Sequence, residues 1–294
     1  MNININTAAI IDQINKNNFL PGLYIVSTPI GNLSDISIRA LSILALSSLI
    51  LCEDTRTSKK LTSKYGIKNT LKSFHKFNSS KEIPNIINKL HAGLIVSIIS
   101  DAGTPLISDP GESLVSKCIE ENISVYSIPG ASSVLGSIVI SGIDTSKFVF
   151  LGFFPQVKKL QEIFLERIIH SNETIIMYES SRRLKKFLEH INKNIPSRRI
   201  AIIRELTKKN EEVIRGTSKD VCEKINQRTN IKGEITIVLE GINAIKKNQF
   251  TDEEIIVLID LYKKTMEDKE IVMKISSKLN ISKRVVYQHI IDNK

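Results

Sequence analysis

The stretch Leu94-Ile95-Val96-Ser97-Ile98-Ile99-Ser100-Asp101-Ala102-Gly103-Thr104-Pro105-Leu106-Ile107-Ser108-Asp109-Pro110-Gly111 decides the fold. It opens with an apolar run that reads as a strand buried on both faces and continues as a loop punctuated by glycine and proline. Open α/β sheets take their ligands at such junctions. From Ser100 to Glu112 there is no Lys or Arg, whereas Asp101, Asp109 and Glu112 are acidic. A phosphate loop combines its glycines with a lysine and a helix N-terminus. This loop instead suits a neutral or cationic ligand with hydroxyl and amino groups for carboxylates and backbone carbonyls to hold. S-adenosylmethionine, a sulfonium carrying an ammonium and a ribose, fits that description.

Outward from this loop, strand and helix alternate. Strands are expected at 23–26, 49–52, 70–74, 94–99 and 123–128. Helices are expected from about Ser34, with Ile38, Leu41 and Leu44 on one face, and at 83–91 and 111–121. Alternation of this kind predicts a largely parallel sheet. Each strand runs into a polar cluster: Thr28 to Asn32, Glu53-Asp54-Thr55-Arg56, His75, the Asp101 loop, and Pro129-Gly130-Ala131-Ser132-Ser133. Such clusters would line one edge of the sheet and make a cleft.

Ser, Gly and Asp interrupt the pattern over 141–147, before Phe148-Val149-Phe150-Leu151 restarts it. Helices at 159–171, 182–194 and 219–228 and strands at 174–178, 199–204, 212–215 and 234–240 follow. Glu205 and Glu211 bracket a basic turn, so an antiparallel pair and a mixed sheet are expected. The C-terminal part is helical, and 271–291 reads as helix, turn, helix with Ser282 as N-cap and with basic Lys274, Lys278, Lys283 and Arg284. A helical hairpin packed on the body, touching no nucleic acid, has the same pattern. The expected organisation is therefore a disordered extension 1–18, an α/β domain 19–142, a second α/β domain 147–242 and a helical unit 250–294.

With 294 residues, 41% hydrophobic and 24% charged, the composition is that of a globular protein. No apolar run has the length of a membrane helix, and the first 18 residues lack the pattern of a signal peptide, so a cytoplasmic protein is expected with no membrane partner. The three cysteines, Cys52, Cys118 and Cys222, are far apart in apolar segments and read as buried side chains, with no metal site. Lys and Arg total 41 against 31 acidic residues, a net charge of +10 that favours an extended anionic partner such as nucleic acid. Enrichment in Asn, Ile and Lys throughout offers another origin for part of that excess.

Six segments occur in one order: Leu23 to Asn32, Glu53-Asp54-Thr55-Arg56, Ser100 to Gly111, Tyr178-Glu179-Ser180, Arg204-Glu205-Leu206-Thr207-Lys208 and Lys232-Gly233-Glu234. Together they resemble the ribosomal RNA small subunit methyltransferase I family, a branch of the tetrapyrrole methylases. Ser27, where the family often has proline, and Ala131 within Pro-Gly-Ala-Ser, where it has Pro-Gly-Pro-Ser, depart from the pattern without removing a functional side chain. The resemblance implies a two-domain tetrapyrrole-methylase-like α/β fold, a homodimer, and S-adenosylmethionine bound between the domains. The implied reaction is methyl transfer to the ribose 2′-oxygen of a cytidine in the decoding centre of small-subunit (16S) rRNA, free or in the assembled ribosomal subunit.

On that resemblance, Pro29, Gly31, Asp101, Ala102, Gly103, Thr104, Pro105, Ser132 and Ser133 would hold the cofactor. Tyr178, Glu179, Leu206 and Glu234 to Thr236 would close over its adenine. Ser132 and Ser133 read equally as a helix cap, and Tyr178 as a core aromatic. Glu53 and Asp54, with His75, are candidate bases for the ribose hydroxyl. Alternatively, holding the oxygen near the methyl carbon supplies the rate, and Glu53 to Arg56 is an ion pair capping the next helix. Arg56, Arg182, Arg183 and Lys208, with Arg204 and Lys209, are candidate phosphate contacts. Two other readings stay open: a small-molecule tetrapyrrole methylase, and a non-catalytic RNA-binding factor that kept the fold.

Overall fold

The computed structural model describes residues 12, 14, 18–242, 252–263, 266–279 and 281–292. Most of the expected extension 1–18 and of the linker before the C-terminal helices lies outside the described residues. By internal contacts the chain divides into two compact units, Met1–Ile140 with Ile203–Glu212, and Ser141–Ile202 with Val213–Lys294.

In the first unit, strands β1 (Gly22–Val26), β2 (Leu49–Cys52), β3 (Leu71–Ser73), β4 (Ile95–Ile98) and β5 (Val125–Ile128) form one sheet in the order β3-β2-β4-β1-β5. Every neighbouring pair is parallel. Side chains alternate across the strands. Leu23, Leu49, Leu51, Val96 and Ile98 pack on one face against helices Ser79–His91 and Glu112–Glu120. Tyr24, Val26, Ile50, Cys52 and Ile128 pack on the other against helix Ile38–Leu46. Both faces are covered, which is why the strands read as continuous apolar runs.

Two helix starts differ from expectation. Ser34 lies in a short 3-10 turn, Leu33–Asp35, capped by the Asn32 side chain. The helix itself begins after Ser37, whose hydroxyl accepts from the Ala40 amide at 3.1 Å. Helix Ser79–His91 begins four residues before Ile83 and carries Pro84 in its interior. Burial of Ile86, Ile87 and Leu90 outweighs the hydrogen bond that Pro84 cannot donate.

In the second unit, β6 (Phe148–Phe153), β7 (Thr174–Ser180), β8 (Arg199–Arg204), β9 (Glu212–Thr217) and β10 (Glu234–Leu239) order as β6-β7-β10-β8-β9. β6 and β7 are parallel and β7 and β10 antiparallel, so the sheet is mixed. Its core gathers Ile168, Leu184, Phe187, Leu188, Ile191, Val221 and Ile225 from the flanking helices. Helices Asp252–Lys263, Asp268–Leu279 and Lys283–Asp292 share a small core of their own, including Ile259, Ile271, Ile275, Val286 and Ile290. Among the described residues no helix is long and apolar enough to cross a membrane.

Candidate active site

Strands β1 and β4 are neighbours, yet the connection after β1 crosses one face of the sheet through helix Ile38–Leu46 and the connection after β4 crosses the other through helix Glu112–Glu120. Connections that part in this way open a crevice at the carboxyl ends of the two strands. The loops there are tied together. The amide of Thr28 donates to the Gly103 carbonyl at 2.8 Å and the amide of Gly103 to the Thr28 carbonyl at 3.1 Å. The Thr28 hydroxyl donates to the Ser100 carbonyl at 3.1 Å, and the hydroxyls of Ser27 and Thr104 lie 3.0 Å apart. Gly103 has φ of 84°, and a Cβ there would stand 3.3 Å from the Ile30 side chain, so glycine is needed both for the turn and for the close approach. The loop after β5 joins them: a Cβ on Gly130 would meet that of Ser27 at 2.9 Å. Pro29, Ala102, Pro105, Ser132 and Ser133 all lie on these loops. Ser132 bonds the Leu135 amide at 3.4 Å and its carbonyl accepts from Gly136 at 2.8 Å, at the start of helix Ser133–Ser141.

Carboxylates dominate the crevice. Burial pushes the Asp109 carboxyl up to about 6, and the charge of Glu53 adds to the rise, while a hydrogen bond from Ser100 opposes it. Asp101 is also raised, first by desolvation and then by the Asp54 charge, against an amide hydrogen bond from Asp54 at 3.3 Å. Asp54 behaves oppositely. It caps helix Thr55–Lys64, accepts from the Arg56 amide at 2.8 Å and from the Arg56 guanidinium at 2.6 Å, and those bonds hold it down at about 2. The expected alternative of an ion pair capping a helix is thus present at Asp54 and Arg56, with Glu53 exposed beside it. His75 is half-buried at the end of β3, its Nδ1 buried without a hydrogen-bond partner.

The turn between β8 and β9 belongs to the same unit and covers the β1 loop. The Asn32 amide donates to the Thr207 hydroxyl at 3.1 Å. A Cβ on Gly31 would collide with Lys208 Cγ, with Thr207 Oγ1 at 2.6 Å and with the Leu206 carbonyl at 3.0 Å. Leu206 also reaches within 2.9 Å of a Cβ placed on Gly136. Lys208 pairs with Glu205 at 3.0 Å, and Arg204 with Glu212 at 3.1 Å.

The remaining expected residues stand on the second unit. Tyr178 and Glu179 on β7 face Thr236 and Ile235 on β10 in register, and Glu234 pairs with Ser180. The Tyr178 ring lies 4.8 Å from Phe150 and 5.3 Å from Phe153. Glu179 is buried, accepts from the Ser180 amide at 2.6 Å and pairs with Arg183 at 2.7 Å, leaving Oε2 without a partner. Arg183 also donates to the Phe154 carbonyl at 3.1 Å, whereas Arg182 is exposed. Sequence reasoning put Thr28, Asp109 and Thr207 in the strand-end clusters and motifs without giving any of them an individual role. Thr207 meets Asn32 from 175 residues away, and no local pattern marks such a pair. All three cysteines are buried and outside any disulfide.

The sequence profile of the Tetrapyrrole (Corrin/Porphyrin) Methylases matches residues 22–222. Proteins called Ribosomal RNA small subunit methyltransferase I are similar throughout. That of Hydrogenobaculum sp. is 45% identical over 76% of this chain and 97% of its own length. The Bacillus subtilis protein is 39% identical over 92% and 89%, and the Buchnera aphidicola protein 36% identical over 97% and 99%. Among solved structures, diphthine synthase superposes with a TM-score of 0.57 at 12% identity, covering 74% of this chain and 89% of its own, a likeness of fold. The uroporphyrin-III-C-methyltransferase of Thermus thermophilus gives 0.53 at 14% identity, over 74% and 94%. With the profile covering the whole first sheet and four of the five strands of the second, and the relatives this similar over most of their length, the chain belongs to the tetrapyrrole methylases and, within them, to the ribosomal RNA small subunit methyltransferase I family.

Proposed function

We propose that this protein transfers a methyl group from S-adenosylmethionine to the ribose 2′-oxygen of a cytidine in the decoding centre of small-subunit rRNA. One observation carries the reading: relatives called Ribosomal RNA small subunit methyltransferase I align over as much as 97% of the chain, so nearly the whole molecule is shared with them. The donor set of the crevice suits the cofactor. Burial raises Asp109 and the charges of Glu53 and Asp101 add to that rise, and Arg56, the nearest cation in sequence, is already bound to Asp54. A ligand bearing positive charge relieves that repulsion, and one bearing phosphates would add to it.

Asp101, Thr104, Ser132 and the backbone of 102–105 would hold the cofactor, with Pro29 and Gly31 as the opposing wall. When bound, the cofactor supplies a methyl group made electrophilic by its sulfonium. The work of the chain's own residues is to orient the ribose hydroxyl and to receive its proton. Asp54, held at about 2, is a weak acceptor, so that role falls to a carboxylate closer to neutrality, with Asp109 on hand. Arg182 and Lys208 are assigned to phosphate contacts, and Arg183 to holding Glu179. We further assign the molecule to the cytoplasm as a homodimer, the state that family resemblance implies.

The test is transfer of label from S-adenosylmethionine to small subunits purified from a strain lacking this protein, followed by nucleoside analysis. Labelled 2′-O-methylcytidine is expected. Label in another nucleoside overturns the position of transfer, and no label from a protein that binds the cofactor overturns the substrate.

A further inference from the structure

We infer that Phe77 is a stacking platform for an unpaired base of the RNA substrate, an inference that rests on the RNA reading above. Phe77 is 94% exposed, the most exposed large apolar side chain among the described residues. Burying a phenylalanine stabilises a fold, and leaving it in water forfeits that gain. The backbone turn that carries it is nevertheless fixed. The His75 amide donates to Asn78 Oδ1 at 2.8 Å, and Asn78 Nδ2 donates to the Ser73 carbonyl at 2.9 Å. The amides of Asn78 and Ser79 both donate to the His75 carbonyl, at 3.1 and 3.0 Å. The His75 ring meets Phe77 edge-on, with 6.1 Å between ring centroids. The turn that presents the ring is thus ordered before any ligand arrives, so binding loses little backbone freedom.

The turn is anchored to the site. The Phe74 amide donates to the Cys52 carbonyl at 2.8 Å, and the Ser73 hydroxyl to the Glu53 carbonyl at 3.2 Å. The surroundings are cationic. Exposed Lys76 precedes Phe77 in the chain and exposed Lys81 follows it four residues on, and helix Thr55–Lys64, packed beside β3, exposes Lys59, Lys60 and Lys64 and contains no acidic residue. An aromatic face among cations is the pattern that binds single-stranded nucleic acid, with bases stacking on the ring and phosphates meeting the lysines. The bases of a duplex are already stacked on one another and leave the ring unused.

The chain contains no tryptophan, so Phe77→Trp places a single indole at this position. Titration of that variant with single-stranded oligocytidylate is expected to quench the indole. Ile119→Trp, at an exposed position beside Glu120 and Glu121, is expected to show no such quench. In methyl transfer to small subunits, Phe77→Ala is expected to raise KM about ten-fold, within the range for loss of one base-aromatic stack, with kcat and cofactor affinity unchanged and Phe77→Tyr restoring KM. An unquenched indole at position 77, or equal quenching at 119, overturns the platform even where the wild-type protein is active. A wild-type protein that binds S-adenosylmethionine and methylates no rRNA overturns the RNA reading instead, and the fluorescence still decides whether Phe77 stacks bases.

Discussion

Asp109 is an acid that the fold keeps partly out of water beside other carboxylates, and its pKa near 6 fixes the sign of two effects. Because the folded value lies above the unfolded one, the folded chain holds the extra proton between about pH 4 and pH 6, and stability from this group falls as pH rises through that window. Asp109→Asn should therefore stabilise the protein by about 1 kcal/mol at pH 8, after discounting for solvent screening, and by nothing at pH 4. Urea unfolding at the two pH values measures it. If the carboxylates hold a cation, the affinity for S-adenosylmethionine should fall as pH drops through 6, and Asp109→Asn should flatten that dependence in calorimetric titrations. At this scale much was legible. The Asp101 to Pro105 loop carries its glycine, proline and missing lysine in plain view. The burial of Asp109 was not legible, because it arises from packing and not from spacing.

At the scale of elements, helix Ser218–Asn226 starts with a capping box in which the Thr217 hydroxyl accepts from the Asp220 amide at 3.2 Å and Asp220 Oδ2 accepts from the Thr217 amide at 3.0 Å. Thr217→Ala should cost about 1 kcal/mol, read as a lower urea midpoint. The seat of the β8–β9 turn on Gly31 predicts a larger effect. Gly31→Ala should destabilise by roughly 1–3 kcal/mol, since one of the atoms in the way is a backbone carbonyl that no side-chain rotation can clear. Thermal unfolding measures that loss. The strands were legible because parallel strands buried on both faces are largely apolar, as in Leu49–Cys52 and Ile95–Ile98 with its single Ser97. Helix starts were less so: Pro84 reads as a first-turn residue, whereas Ile86, Ile87 and Leu90 draw the helix back to Ser79.

For the whole molecule, a net charge of +10 makes attraction to rRNA long-ranged and sensitive to ions. Affinity for small-subunit rRNA should fall steeply with salt, with log K declining linearly in log salt by about 0.7–0.9 per phosphate neutralised, while affinity for S-adenosylmethionine changes far less. Filter binding across a salt series compares the two. Composition pointed to such a partner, and the sequence pattern separated the parallel sheet from the mixed one. What no pattern announced is that residues Ile203–Glu212 group with the first unit. That grouping has a consequence for synthesis. The first 140 residues leave the ribosome with the Gly31 loop uncovered, and the unit cannot close over it until residue 212 has emerged, so the half of the protein made first must wait for a stretch of chain made in the middle of the other half.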